Sequence, residues 1–264
     1  MKKKLVVILG VVVLAFLIGA VVWFVRGRQT EEEIVPSKPE GVLIETALEE
    51  RPYITLTPSS DGHWLTVDVS RIRDADSLEY ELLYNTIGGA TQGSISSFEL
   101  KGKSTYSKKI LLGSESSGNY KYDEGVTQGT LTIRLRGGEG TRKFVSDFHL
   151  QKGDEDLTSI DEKVTLEGSF SSSAFYLTMS TAGLPGDFEG EVIVGPYEVF
   201  TSVTSKVKGG ELTMSLEEGQ AGQLYSWSGS AWEEEESEVE DGVLTAEITS
   251  LTTFIVASQK TSTE

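Results

Sequence analysis

An alternation of apolar and polar residues with a period of two recurs after residue 51 and limits what this chain can fold into. It places Leu65, Val67 and Val69 on one face of the segment LTVDV, and it returns in LEYELLY and TLTIRLR. Successive side chains of a strand point to opposite faces of a sheet, so each segment is predicted to be a half-buried strand. No segment after residue 51 has the 3.6-residue period of an amphipathic helix. The sequence therefore predicts an all-β fold.

Turn signals divide the predicted strands into two sets of similar size. The first set lies within residues 51–152 and the second within residues 153–264, with the polar segment QKGDEDLTSIDE at the break. About seven or eight short strands over roughly a hundred residues are typical of an antiparallel sandwich. We therefore predict two tandem antiparallel β-sandwich units. One large sandwich is the alternative, because the charged break can also be a long surface loop.

The N-terminal segment is predicted to cross a membrane. Residues 5–25 carry no charge and follow three lysines, and a helix of this length spans a hydrocarbon core of about 30 Å. The apolar run is longer than that of a cleaved signal peptide, and no A-x-A-like site precedes Arg26, which favours an uncleaved signal anchor over a cleaved signal. The basic residues favour a cytoplasmic N-terminus. Residues 1–28 are thus predicted to be a cytoplasmic tip and anchor, with the rest of the chain outside the cytoplasm.

Acidic residues outnumber basic ones, which limits the classes of partner. The chain has 41 Asp and Glu against 23 Lys and Arg, a formal net charge of −18. Residues 29–50 combine an acidic run with two prolines and are predicted to be a solvated stalk. The acidic excess disfavours nucleic acid and anionic bilayers as ligands, since both attract Lys and Arg. The absence of cysteine excludes disulfides and thiolate metal sites.

No catalytic constellation stands out. The two histidines, His63 and His149, have no nucleophile elbow or helix pair beside them. The many carboxylates give no reason to select one pair for glycoside hydrolysis. We predict a non-catalytic protein, with an unrecognised hydrolase as the least favoured alternative.

Calcium is the best-supported small partner. Asp74 and Asp76 in RIRDADS, and Asp154 and Asp156 in KGDEDL, place carboxylates close together at predicted strand junctions. Such hard oxygen ligands suit Ca²⁺, but no EF-hand loop is present and solvated loop acids are the favoured alternative. No other cofactor is predicted.

The segment YSWSGSAWEEEE places three aromatic residues around a Ser-Gly-Ser turn. If residues 228–231 form a hairpin loop, Trp227 faces Trp232, and Tyr225 lies on the same side of the ribbon as Glu234. This aromatic group can belong to a core or can be a platform that stacks on a sugar ring, and core packing is favoured. The four glutamates that follow predict an edge strand whose charge discourages edge-to-edge pairing.

The ordered segments GPYEVF, ELTMSLEEG, LYSWSGSAW and VLTAEITSLTTFIV resemble the closing part of the ZU5-like, immunoglobulin-like β-sandwich modules of bacterial surface proteins. The resemblance covers about residues 174–257 and implies that the tyrosine-tryptophan strand and the second tryptophan are core elements. Related modules can cleave themselves at a His-Leu-Ser/Thr site, which corresponds here to Ser250, Leu251 and Thr252. Serine in place of the histidine cannot act as a base near neutral pH, so we predict no self-cleavage.

These features predict a single-pass membrane protein that recognises a protein or a glycan at the cell envelope, in adhesion or capture. The alternative is a structural or assembly subunit of a membrane or envelope complex, which would need no ligand of its own.

Overall fold

A computed structural model describes residues 42–153 and 156–259. The predicted membrane span at residues 5–25 lies outside the described residues, as does the predicted stalk up to residue 41. Within the part that is described, no helix combines the length and the apolar character needed to cross a membrane.

The described chain is built of short antiparallel strands, and its one helical element is the 3₁₀ turn Leu48–Glu50. The strands are β1 (Tyr53–Pro58), β2 (Trp64–Ser70), β3 (Ser77–Asn85), β4 (Thr91–Glu99), β5 (Tyr106–Leu111), β6 (Gly113–Ser116), β7 (Asn119–Tyr122), β8 (Gln128–Gly137), β9 (Gly140–Lys152), β10 (Leu157–Thr158), β11 (Val164–Ser169), β12 (Phe175–Ser180), β13 (Gly190–Thr201), β14 (Lys206–Ser215), β15 (Gln223–Trp227), β16 (Trp232–Glu235), β17 (Glu238–Glu240), β18 (Val243–Ser250) and β19 (Thr253–Gln259). The prediction of an all-β fold is confirmed.

The strands form four sheets. The largest has nine strands in the order β16-β15-β19-β13-β12-β9-β8-β3-β4. A three-stranded sheet has the order β1-β2-β5, a five-stranded sheet the order β10-β11-β14-β18-β17, and β6 pairs with β7 alone. All strand pairs within these sheets are antiparallel among the described residues.

The nine-stranded sheet runs through both predicted sets of strands, because β9 of the first set pairs with β12 of the second. On one face of β12, Leu177 and Met179 join the hydrophobic cluster of β1, β2, β3 and β8. On the opposite face, Tyr176 joins the cluster formed with β11, β14 and β18. The central strand β12 is therefore buried on both faces and belongs to both cores.

Residues 42–44, at the C-terminal end of the predicted stalk, lie beside β9. Leu43 forms a parallel bridge with Thr141. The Thr141 amide donates to the Val42 carbonyl and the Ile44 amide donates to the Thr141 carbonyl, each at 2.9 Å. This part of the stalk segment thus hydrogen-bonds to the edge of β9.

Candidate ligand-binding surface

Four aromatic rings from two separate segments meet at the surface. Trp64 is the first residue of β2 and His63 immediately precedes it, while Tyr120 and Tyr122 lie on β7. The His63 and Tyr122 rings stack with centroids 3.9 Å apart, and the Tyr120 ring is parallel to Tyr122 at 6.3 Å. Trp64 meets Tyr120 edge-on at 5.5 Å. We call these four residues the aromatic surface.

The β6–β7 hairpin presents its two tyrosines to solvent. Ser117 and Gly118 both have positive φ, at 53° and 80°, as a two-residue type I′ turn requires. The two-residue period then places Tyr120 and Tyr122 on one face, where 48% and 38% of their surfaces stay exposed. A two-stranded hairpin is marginal alone, so the contacts with His63 and Trp64 help to hold it in place.

The turn between β1 and β2 positions the other two rings. The Ser59 hydroxyl donates to Asp61 Oδ1 at 2.5 Å, and the same oxygen accepts the His63 amide at 3.1 Å. The Trp64 amide in turn donates to Ser59 Oγ at 3.0 Å. The bond from the Ser59 hydroxyl, followed by that from the His63 amide, holds the pKa of Asp61 below its usual value. The Asp61 carboxylate therefore stays ionised beside the rings.

Polar and charged groups border the aromatic surface. Lys109 Nζ lies 4.8 Å from the Trp64 ring centroid, within cation–π range. A groove of about 480 Å³ adjoins His63 and is lined also by Asp61, Asp123 and Lys152. The Tyr84 hydroxyl donates to Asp123 Oδ2 at 2.9 Å and so orients that carboxylate. Partly exposed aromatic rings beside a few fixed polar groups are typical of a small-ligand site.

Tyr120 and Tyr122 are not among the residues predicted from the sequence. Their only signal is the alternation in NYKY, where two aromatic residues share one face of a strand whose other positions are polar. His63, for which the sequence indicated no catalytic partner, is half-buried just before β2.

The second aromatic group, Tyr225, Trp227 and Trp232, forms the predicted hairpin. Trp227 pairs with Trp232 and Tyr225 pairs with Glu234 across β15 and β16, and the two indole rings meet edge-to-face at 5.4 Å. Strand β16 is the last strand of the nine-stranded sheet. The predicted register and the predicted glutamate-rich edge strand are both confirmed.

This second group is more enclosed than the aromatic surface. Tyr225 is buried beside Leu184 and Ile255, with Trp232 packed against them. The Trp232 indole N–H donates to the Gly186 carbonyl at 3.4 Å. A Cβ added at Gly186 would lie 2.3 Å from Trp227 Cη2, so the chain around residue 186 closes over that ring. These contacts favour a packing role over a ligand platform.

The predicted calcium ligands are on separate loops. Asp74 and Asp76 lie between β2 and β3. The Asp74 carbonyl accepts a hydrogen bond from Arg142 Nη2 at 2.9 Å, and the Asp76 amide donates to the Arg136 carbonyl at 2.7 Å. The carbonyl of Asp156, just before β10, accepts Gln151 Nε2 at 3.1 Å. Asp154 lies outside the described residues. In the described ranges no three Asp, Glu or His side chains converge as a metal site would require, and calcium binding stays a prediction.

Ser250 is the last residue of β18, and Leu251 and Thr252 connect it to β19. Thr252 Oγ1 donates to the Trp227 carbonyl at 2.5 Å. His149 is engaged elsewhere, with its Nδ1 2.9 Å from the Thr158 carbonyl oxygen, and His63 stacks on Tyr122. The absence of self-cleavage stays a prediction.

One carboxyl group in the interior has an unusual environment that the sequence did not indicate. Glu198 on β13 accepts hydrogen bonds at Oε2 from the hydroxyls of Tyr53 and Thr253, which lie 3.2 Å from each other. Burial raises the pKa of Glu198 from its usual 4.5 to about 7, although both hydrogen bonds oppose the shift. Since Tyr53 is on β1, this cluster joins the three-stranded sheet to the nine-stranded sheet.

The fold and the aromatic surface define an all-β protein with exposed rings on an antiparallel scaffold. No family model, curated protein or solved structure matches the chain.

Proposed function

We propose that the protein is a non-catalytic, membrane-anchored recognition protein of the cell envelope that binds a glycan at the aromatic surface. The observation that carries the proposal is the partial exposure of Tyr120 and Tyr122, whose rings are nearly parallel to each other, while His63 stacks on Tyr122. Aromatic residues with polar tips combine apolar contact area with hydrogen bonding. The C–H faces of a sugar ring suit such rings, and its hydroxyls suit the neighbouring carboxylates and Lys152.

Charge narrows the class of glycan. The chain carries a formal net charge of −18, and Asp61 and Asp123 line the groove next to His63. Carboxylates accept hydrogen bonds from sugar hydroxyls but repel acidic sugars. A neutral oligosaccharide is therefore the proposed ligand.

The strand connectivity supports an immunoglobulin-like architecture as part of this proposal. Strands β1, β2 and β5 form one sheet, and β3, β8 and β9 lie together in the other, as the A-B-E and C-F-G strands of immunoglobulin folds do. Two such units, the second of the ZU5-like kind over residues 174–257, would suit an extracytoplasmic recognition protein. The proposed location rests on the apolar segment 5–25 as a signal anchor.

Binding to an array of neutral and acidic oligosaccharides by the full chain in detergent micelles tests the proposal. The double variant Tyr120→Ala/Tyr122→Ala should weaken binding to neutral oligosaccharides about tenfold or more, because both stacking rings are lost. The matched variant Tyr120→Phe/Tyr122→Phe keeps the rings and should retain most of the affinity. Both tyrosines lie on the small β6–β7 sheet outside the buried hydrophobic clusters, so the two cores should survive either change.

Other outcomes would redirect the proposal. Equal binding by the alanine and phenylalanine variants would contradict a site at the aromatic surface. Loss of binding in Trp227→Ala alone would place the ligand at the β15–β16 hairpin instead. No binding to any glycan by the folded protein would favour the structural or assembly subunit.

A further inference from the structure

Strand β4 forms one end of the nine-stranded sheet and pairs, among the described residues, only with β3. The Leu100 amide donates to the Asp76 carbonyl at 2.8 Å and the Thr86 amide donates to the Ala90 carbonyl at 2.9 Å. In an antiparallel pair, the residues whose N–H and C=O groups bond to the neighbouring strand alternate with residues whose groups point away from it. Because Ala90 and Leu100 bond toward the β3 side, the even-numbered residues of β4 do so as well. The N–H and C=O groups of Gly93, Ile95 and Ser97 therefore point to the open edge.

Most other strand edges in the described structure carry a feature that discourages pairing with another chain. Such features are charge, proline and short length. Charge marks three of these edges: β16 has three glutamates, β17 has two glutamates in three residues, and β5 has Lys108 and Lys109. Strand β10 is only two residues long. Strand β1 ends in Pro58 and packs against β12 and β13. Strand β4 has nine residues, and its first eight include neither a charge nor a proline.

The carboxylates of the strand next to β4 are paired with arginines, although the protein is acidic. The nearest carboxylates on the neighbouring strand are Glu79 and Glu81 of β3. Arg134 lies 3.1 Å from Glu79 and 2.9 Å from Glu81, and Arg136 lies 3.6 Å from Glu79. Two carboxylates are thus matched by two guanidinium groups, so a like-charged copy of the chain meets no uncompensated charge on β3.

We propose that two copies of this chain pair antiparallel through β4, which joins their nine-stranded sheets into one. A two-fold axis at Ile95 sets each Ile95 opposite its counterpart and each Gly93 opposite Ser97. This register lets the outward backbone groups of the three residues bond in both directions, about six hydrogen bonds in all. It also covers the Ile95 side chain, 47% of which is exposed, and it places only small side chains on either side.

Contact along one strand edge buries little area, so the dimer is of the weak class, with a Kd on the order of 10 μM. Attachment to a membrane would raise the local concentration and favour pairing. A dimer also presents two aromatic surfaces, which would strengthen binding to a repetitive glycan without any new contact.

Sedimentation of the full chain in density-matched detergent micelles, from about 1 to 100 μM, tests self-association. The wild-type chain should convert from monomer to dimer over this range. Ile95→Lys should weaken the association at least tenfold, because the two-fold axis sets the lysines opposite each other. Ile95→Thr keeps a β-branched, uncharged residue at this exposed position and should still dimerise. A wild-type chain that stays monomeric at 100 μM, or an Ile95→Lys chain that associates as the wild type does, would overturn the proposal.

The absence of cysteine gives a second test that does not depend on the lysine variant. Ile95→Cys introduces the only thiol in the chain, and a short bifunctional thiol reagent should join two copies there. The control Glu234→Cys, on the glutamate-rich edge strand β16, should stay uncrosslinked under the same conditions. Equal cross-linking at both positions would mean random collision or association elsewhere, and would refute pairing through β4.

Discussion

Replacing Glu198 with glutamine should raise the free energy of unfolding at pH 8 by about 3 kcal/mol. The folded-state pKa is about 7, against 4.5 for the usual carboxyl, and each unit of difference is worth about 1.4 kcal/mol. Between pH 4.5 and pH 7, the Glu198 carboxyl is therefore protonated more often in the folded chain than in the unfolded chain. Stability from this group is therefore present below about pH 4.5 and lost as pH rises through 7.

Glutamine at position 198 keeps an oxygen that accepts from Tyr53 and Thr253 but never ionises. The groups that face Glu198 are these two hydroxyls, from β1 and β19, and Met179 is its paired neighbour on β12. Chemical denaturation from pH 4.5 to 8 should show a loss of stability in the wild type that the variant lacks. Glu191→Gln removes an exposed carboxylate from the same strand and controls for net charge. Parallel pH profiles for the wild type and Glu198→Gln would show that this carboxyl is not the cause.

Replacing Leu177 with alanine should lower the free energy of unfolding by about 2 to 5 kcal/mol, as large-to-small changes in a closed core do. Leu177 is 0% exposed. Because Tyr176 and Thr178 of the same strand are buried on the opposite face, loosening β12 should weaken both cores together.

Hydrogen exchange measures this coupling. Amides of β2 and of β14 lie in different sheets, and both should lose protection in Leu177→Ala by a similar factor. Val145→Ala removes methyl groups at a site 55% exposed on the same nine-stranded sheet and should change stability by less than about 0.5 kcal/mol. Lost protection in β2 alone would mean that the two cores unfold independently.

Strand faces were predictable from the sequence because alternation records which side chains are buried. The faces of β2, β3 and β8 follow the predicted pattern, with Leu65, Leu78 and Leu131 in the core. The Trp227–Trp232 register was predictable because a four-residue loop fixes the pairing. The pairing of β9 with β12 was not, since alternation says which face is buried but not which strand lies alongside.

The candidate site was harder to predict for the same reason. His63 and Tyr122 are far apart in sequence, and neither carries a motif that links it to the other. The Glu198 cluster also depends on three strands whose residues meet only in the folded chain. In contrast, the turn before NYKY was predictable, because Ser-Ser-Gly is a turn signal, and Ser117 and Gly118 form that turn.

The nine-stranded sheet is wide enough that charges at one edge are screened from the other edge. Strands β4 and β16 are its ends, eight steps apart, and at about 4.8 Å per step the sheet is about 38 Å wide. This is several times the screening length of about 8 Å at physiological ionic strength. The glutamates of β16 therefore exert almost no force on a molecule that approaches β4.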